Sequence, residues 1–258
     1  MERHLISIIT PVHNSAQFIE ATIETVLKQT YSHWEMILID DCSEDGSVAI
    51  IEKLAKKDRR FKLIKNLEKS GAGIARNKGI SVAKGTFITF LDSDDLWFPN
   101  FLATSLNTCL VNNYEFVFSS YERRDEGLNS LISDFIVPQK VTYKDVLKSC
   151  PILCSSTFID IRRIGKHYMP DLKKRQDWCF FLSVLKEVEY AYGIIEPMVI
   201  YRMRKDSISR NKLKLIPYVW KVYRDVEKLS FVRSFYLLYL WSLNGFKKYY
   251  VNTRIVEK

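Results

Sequence analysis

The sequence is poor in the residues that make irregular or cross-linked chains. Nine glycines and seven prolines in 258 residues exclude a collagen-like or low-complexity chain. The five cysteines are Cys42, Cys109, Cys150, Cys154 and Cys179. Their number is odd and none stands in a C-x-x-C pair, which argues against a disulfide framework and a cysteine-based zinc site. Free thiols in a reducing compartment fit them better. No run reaches the roughly 18–20 apolar residues of a membrane-spanning helix. The opening MERHLISIIT is too short for a charged leader, an apolar region and a cleavage site, so neither feature is expected. The first strand–helix turn, TPVHNSAQF, has no glycine, which excludes the G-x-G-x-x-G of a nicotinamide-dependent oxidoreductase.

A hydrophobic content of 47% is enough for a core, and a net charge of +9 suits an anionic partner. Lysine and arginine are concentrated in 53–65 (KLAKKDRRFKLIK) and 202–214 (RMRKDSISRNKLK). No nucleic-acid partner is expected, because aromatic and basic residues are scattered and no recognition motif appears.

Short apolar runs, LISIIT (5–10), EMILID (35–40) and TFITFL (86–91), read as strands buried on both faces. Helical periodicity separates them, with Asn14 and Gln17 placed to cap the first helix and Gly71 and Gly73 opening the third. A β-α-β-α-β-α-β order over about 95 residues predicts a parallel, doubly wound sheet. Such sheets bind ligands at the carboxyl ends of their strands. Thr10, Asp40–Asp41 and Asp92–Asp94 all fall at such ends, so three separated motifs are expected at one crevice. Further on, strands are expected at Tyr114–Ser120 and Ser156–Ile161, and a helix over Asp177–Glu187. Two strands, Tyr190–Ile195 and Met198–Arg202, are expected to be parted by Glu196-Pro197, with helix from Pro217 to about Tyr250.

Carboxylates at Asp92 and Asp94, two residues apart on extended chain, would point the same way. Their repulsion invites a cation, and Mg²⁺ or Mn²⁺ would bridge them to a substrate diphosphate. Lewis-acid neutralisation of a departing diphosphate is the chemistry this would serve. An acidic turn carrying helix caps is the plainer alternative. Asp41 is either a hydrogen-bond acceptor for a base N–H or an Asx-turn residue. Arg76 is either a phosphate partner or a surface arginine, and Asp177 either a general base or an N-cap.

Three blocks, ISIITPVHNSAQFIEATIETVLKQTYSHWEMILIDDCSEDGS, SGAGIARNKGISVAKGTFITFLDSDDLWFPNFL and RQDWCFFL, together resemble the inverting glycosyltransferases of family 2. The first two cover about residues 5–102. The resemblance implies a GT-A (Rossmann-like) α/β fold, a mostly parallel sheet flanked by helices, with a C-terminal helical extension. It implies a nucleotide-sugar donor, in particular a UDP-sugar with dTDP- and GDP-sugars left open, and an Mn²⁺ or Mg²⁺ cofactor. Thr10, Pro11 and His13 would line the nucleotide pocket. Asp41 would contact the base, Arg76 would lie near the diphosphate, and Asp92 and Ser93 near the ribose. Asp94 would hold the metal and Asp177 would act as general base. Gln176 stands where the family often has Glu. In Tyr201-Arg202-Met203-Arg204, Arg204 takes the position of a frequent His, so Arg202 and Arg204 are expected on a loop that holds the diphosphate and closes over the donor. A non-catalytic sugar-nucleotide-binding relative is the alternative, and the intact Asp92, Asp94 and Asp177 argue against it.

These readings divide the chain into a transferase domain, 1–215, and a C-terminal helical tail, 216–258. Within the domain, 1–105 is the nucleotide-binding half and 106–215 the acceptor half. The acceptor is expected to be a saccharide or lipid-linked saccharide of cell-surface polysaccharide or lipopolysaccharide synthesis. Residues 218–250 mix Trp and Tyr with Lys and Arg around short apolar stretches, as in helices lying on a membrane surface. Peripheral association with the cytoplasmic face of the inner membrane is therefore expected; packing on the domain or on a second subunit stays open.

Overall fold

The computed structural model describes residues 4–130, 132–204 and 213–250. The chain opens with β1 (Ile6–Val12), α1 (Ile19–Leu27), β2 (Trp34–Asp40), α2 (Ser47–Ala55), β3 (Phe61–Lys65), α3 (Ala72–Val82) and β4 (Phe87–Phe90). A two-residue strand β5 (Leu96–Trp97), α4 (Phe101–Asn112), β6 (Phe116–Arg124), β7 (Lys140–Val141), α5 (Tyr143–Lys148), β8 (Thr157–Asp160) and α6 (Ile161–Ile164) follow. Then come α7 (Gln176–Val184), β9 (Ala191–Arg202), α8 (Ile216–Lys221) and α9 (Phe231–Tyr250).

The strands form one sheet in the order β3-β2-β1-β4-β8-β6-β9-β5, with β7 beside β9. Strands β3, β2, β1 and β4 run parallel, as the apolar runs predict: every residue of β2 and β4 is buried. Beyond β4 the sheet is mixed, because β8 pairs antiparallel with β4 and β6, while β9 is parallel to β6. Chain order reverses at β1, whose neighbours are β2 and β4, and the loops after these strands meet at that point.

Helix α3 lies unusually close to the sheet. A Cβ at Gly79 would stand 2.5 Å from Cγ2 of Ile9 and 2.9 Å from Cδ1 of Ile39, so only glycine allows this approach. That contact seats the helix that carries Arg76.

Four expectations are corrected. Asn14 does not cap α1, which starts at Ile19 after Phe18. It has a left-handed backbone (φ 49°) and its Oδ1 accepts the Glu44 N–H, tying the loops after β1 and β2 together. Tyr190–Ile195 and Met198–Arg202 are not two strands. They form one, β9, because irregular register opposite Ser119–Tyr121 absorbs the proline that cannot donate to the ladder. The helix from Pro217 is interrupted: α8 passes into a π-helical turn, Val222–Val226, and the chain breaks before α9. Glu227 pins the break, accepting from the Tyr143 hydroxyl and pairing with Lys186 at 2.8 Å. Finally, Asp92 and Asp94 sit in a tight turn after β4 rather than on extended chain.

The C-terminal helices are not detached from the core. Val219, Val222 and Tyr223 are fully buried in the same apolar cluster as the sheet. The outer side of α9 is exposed at Phe231, Val232, Phe235, Tyr236, Tyr239 and Leu243. No helix among the described residues is long and apolar enough to cross a membrane. Residues 205–212, with the expected loop closure, and 251–258 lie outside the described residues.

Candidate active site

The loop after β2 presents Asp41, which is buried and saturated mainly on one oxygen. Its Oδ1 accepts from Asn66 Nδ2 (2.9 Å), Ser70 N–H (2.8 Å) and Ser70 Oγ (2.8 Å), while among the described residues Oδ2 accepts only from Gly71 N–H (2.7 Å). Burial raises this carboxyl, but the donors of Ser70, Asn66 and Gly71 outweigh it and hold it below its ordinary value. An ionised carboxylate offers about four lone-pair sites, so Oδ2 keeps one for a further donor. Gly71, at φ 84°, lets the chain turn into α3 directly beneath the carboxylate.

The acidic turn after β4 is braced from three sides. Thr22 of α1 donates to the carbonyls of Ser93 (3.1 Å) and Asp95 (3.0 Å). Ser155 donates to Asp95 Oδ2 (2.6 Å) and accepts the Asp92 N–H (3.0 Å). Arg202 donates its N–H to Asp95 Oδ1 (3.1 Å) and its Nε–H to the Asp94 carbonyl (2.8 Å).

The three carboxyls of that turn differ in partner. Asp92 is ion-paired with Arg76, whose burial opposes its charge but whose neighbours, Asp92 first, hold it more firmly protonated than usual. Burial and then the charge of Asp92 raise the Asp94 carboxyl, against the pull of Arg204, whose Nη1 lies 3.5 Å away. Asp95 is fully buried and pushed well above the carboxylate range by burial, then by Asp94 and Asp92.

Asp177 is the second residue of α7, and its carboxylate accepts no hydrogen bond among the described residues. It caps nothing, because Arg175 holds the N-cap position. Asp177 nevertheless contributes to the stabilised charge on Arg76.

Asp41, Arg76, Asp92, Asp94 and Asp177 share one cavity of about 580 Å³, within the usual ~300–1,000 Å³ of ligand sites, whereas Asp95 is buried and does not line it. Pro11, His13, Asp41, Arg76, Asp92, Ser93, Asp94, Asp177, Arg202 and Arg204 line it. Thr10 does not: it is wholly buried within β1, and its hydroxyl has no hydrogen-bond partner among the described residues. His13 Nε2 is 2.7 Å from Lys69 Nζ.

Among the described residues, no three His, Cys, Asp or Glu side chains converge to hold a metal unaided. A raised carboxyl at Asp94 beside Asp92 nonetheless fits a hard cation that takes one or two protein oxygens and completes its shell with phosphate and water.

Comparison with known proteins gives this geometry its context. The family model described as "Glycosyl transferase family 2" matches residues 7–164, more than half of the chain. The chain belongs to glycosyltransferase family 2. The putative teichuronic acid biosynthesis glycosyltransferase TuaG of Bacillus subtilis is 38% identical over 95% of this chain and 97% of its own length. An Escherichia coli protein named as the UDP-Glc:alpha-D-GlcNAc-diphosphoundecaprenol beta-1,3-glucosyltransferase WfgD is 37% identical over 92% of each chain. Among solved structures, Staphylococcus aureus TarS 1–349 in complex with UDP-GlcNAc superposes with a TM-score of 0.71 at 18% identity, covering 95% of this chain and 73% of that one. The likeness is one of fold, and it assigns the GT-A architecture.

This glycosyltransferase also has site residues that the motifs did not single out. Lys173, Lys174 and Arg175, which precede Asp177 in the chain, line the cavity, as do Tyr201 and Leu215. The run KKRQD was visible in the sequence as a cluster of charge, but nothing in it distinguished a cavity wall from solvated surface. Asn66 and Ser70, which hold Asp41, carry no signal at all in a single sequence.

Proposed function

We propose that the enzyme is an inverting, metal-dependent hexosyltransferase. It would move a sugar from a UDP-linked donor to a hydroxyl of a lipid-linked saccharide in cell-surface polysaccharide synthesis. The observation that carries this is the shared cavity, which is lined by Asp41, by Asp92 and Asp94, and by Asp177, whose carboxylate has no hydrogen-bond partner among the described residues.

Each role follows from local chemistry. The remaining acceptor site on Asp41 Oδ2 suits the N–H of uracil. Ser93, Pro11 and His13 enclose the nucleoside, and Thr10 acts only by packing beneath them. Arg202 and Arg204 place permanent positive charge beside the diphosphate. Asp94 would hold Mn²⁺ or Mg²⁺, which when bound neutralises charge on the departing diphosphate. Asp177 accepts the proton of the attacking acceptor hydroxyl, and attack from the side opposite the leaving group inverts the anomeric centre.

The lipid-linked acceptor is supported by the name of the Escherichia coli relative and by the aromatic, apolar outer side of α9. We infer that this side lies in the membrane interface, with the chain peripheral to the membrane.

The test is a panel of UDP-, dTDP- and GDP-sugars assayed for hydrolysis with Mn²⁺, with Mg²⁺ and with chelator. Metal-stimulated release of UDP from one UDP-hexose supports the reading. Preference for dTDP or GDP moves the donor class. Absence of turnover with every sugar nucleotide, despite UDP binding, supports the non-catalytic alternative.

A further inference from the structure

We propose that Lys173, Lys174 and Arg175 form a subsite for the diphosphate of the acceptor, distinct from the cations that serve the donor. It rests on the transferase reading above and adds to it: the acceptor is recognised through its charged linker as well as its sugar.

Accounting for charge in the cavity separates two sets of cations. Arg76 is paired with Asp92 and Arg204 with Asp94, while Arg202 is bonded to the carbonyls of Asp94 (2.8 Å) and Glu126 (2.7 Å). These three surround the acidic turn. Lys173, Lys174 and Arg175 stand on the wall of Asp177 and make no ion pair among the described residues. With Asp177 the one cavity-lining carboxylate close to them in sequence, three adjacent cations that line the cavity leave an excess of positive charge there, which an anionic ligand would neutralise. The first turn of α7, which begins at Gln176, adds its positive dipole end at the same place.

Arg175 shows that the arrangement is built rather than incidental. Its backbone is left-handed (φ 67°), a conformation that costs a non-glycine residue about 1–2 kcal/mol. Its guanidinium lies 5.9 Å from the Trp178 ring centroid and 5.5 Å from that of Trp241, and its Nε is buried with no hydrogen-bond partner among the described residues. Lys174 Nζ lies 5.3 Å from the ring centroid of Tyr218. Aromatic faces hold these cations in place without neutralising them as a carboxylate would.

Position selects the acceptor over the donor. Asp177 must reach the attacking hydroxyl, so whatever the hydroxyl's sugar carries lies on the Asp177 side. Trp241 belongs to α9, the helix whose outer side is apolar and exposed. One guanidinium thus touches both the cavity wall and the element proposed to meet lipid. A saccharide joined by a diphosphate to a lipid would place sugar, charge and hydrocarbon in that order.

The experiment measures binding to the full chain by calorimetry with UDP saturating the donor site. Three probes share an N-acetylglucosaminyl group and a ten-carbon alkyl tail, joined by a diphosphate, by a monophosphate or with no phosphate. The diphosphate probe is expected to bind at least tenfold more tightly than the neutral one, with the advantage shrinking as salt rises. The triple variant Lys173→Gln/Lys174→Gln/Arg175→Gln should bring all three probes within about twofold of each other and leave UDP affinity unchanged. The double variant Lys173→Gln/Lys174→Gln, which keeps the tryptophan-held Arg175, should lose at least fivefold for the diphosphate probe, and Lys173→Arg/Lys174→Arg should restore it. Equal affinity of the wild type for the three probes, including no binding of any, overturns the proposal. So does a variant that loses UDP affinity in step with the probe, which would assign these cations to the donor. Failure of the wild type to bind UDP is a separate outcome that removes the transferase reading itself.

Discussion

Arg76 reaches from α3 to the carboxylate of Asp92 at the end of β4, so an ion pair bridges the two sides of the chain reversal at β1. Arg76 is almost wholly buried, whereas Asp92 is about one-third exposed (side chain 31%). The pair therefore fixes the helix to the acidic turn while leaving Asp92 open to the cavity. Replacing Arg76 by Leu removes the cation and leaves Asp92 next to Asp94 and Asp95. We expect a loss of about 1–3 kcal/mol in denaturant-unfolding stability, with partial exposure of Asp92 keeping it below a fully buried pair. Donor affinity should fall in the same variant, measured by UDP titration. Unchanged stability and affinity together would show that the pair is incidental.

Asp94→Asn keeps the shape of the side chain and removes the charge that a divalent ion requires. Metal-stimulated UDP-sugar hydrolysis should drop to the level seen with chelator, while UDP binding in the absence of metal should hold or tighten, because one anion has left a crowded turn. A variant still stimulated by Mn²⁺ would move the metal to other ligands.

Asp177→Asn preserves size and removes the proton acceptor. Its carboxylate accepts no protein hydrogen bond among the described residues, so the substitution should leave the melting temperature within about a degree or two, in the range of a change away from buried networks. Transfer should slow by roughly 10²–10⁴-fold, the usual contribution of general acid–base catalysis, with donor KM nearly unchanged. Full transfer rate in this variant would place the base elsewhere.

Gly79→Ala drives a methyl group against Ile9 and Ile39, on the side of α3 that faces the sheet. Overpacking of this kind costs about 1–3 kcal/mol. Because Arg76 sits one turn earlier on the same helix, donor KM should rise along with the loss of stability. Gly79→Ala with a normal KM would mean that α3 yields without moving Arg76.

Glu35 provides the pH test. Burial raises this carboxyl, but Lys62, Ser7 Oγ (2.6 Å) and the Lys84 N–H (2.7 Å) outweigh it, so its folded value lies below the unfolded value of 4.5. A lowered folded value means that the contribution is complete above the unfolded one and is lost as pH falls through the folded one. Glu35→Gln should therefore be less stable than wild type by about 1–3 kcal/mol at neutral pH. The gap between the two melting temperatures should close as pH drops below 4.5. A gap independent of pH would mean that packing, not charge, sets the effect.

The parallel half of the fold was legible because its strands are buried on both faces, and such burial forces continuous apolar runs such as LISIIT and EMILID. The placement of Asp41 and Asp92–Asp94 followed from the same signal, since strand ends in a doubly wound sheet share one edge. The mixed half was less clear. Strand β9 was divided at Pro197 because a proline interrupts local periodicity, while the irregular register that accommodates it belongs to the partner strand β6. The break between α8 and α9 depends on Glu227 meeting Tyr143 and Lys186, contacts made across long stretches of chain.

By itself the sequence determined that a parallel sheet forms and that acidic residues crowd its carboxyl edge, since both follow from periodicity and spacing along the chain. Only the tertiary structure decided which charges are neutralised. Arg76 satisfies Asp92, Asp95 is sealed beneath Ser155 and Arg202, and Thr10 is withdrawn from the cavity. Lys173, Lys174 and Arg175 are left facing it with no ion pair among the described residues. Charge pairing depends on distances between segments far apart in the chain, and those distances are set by packing.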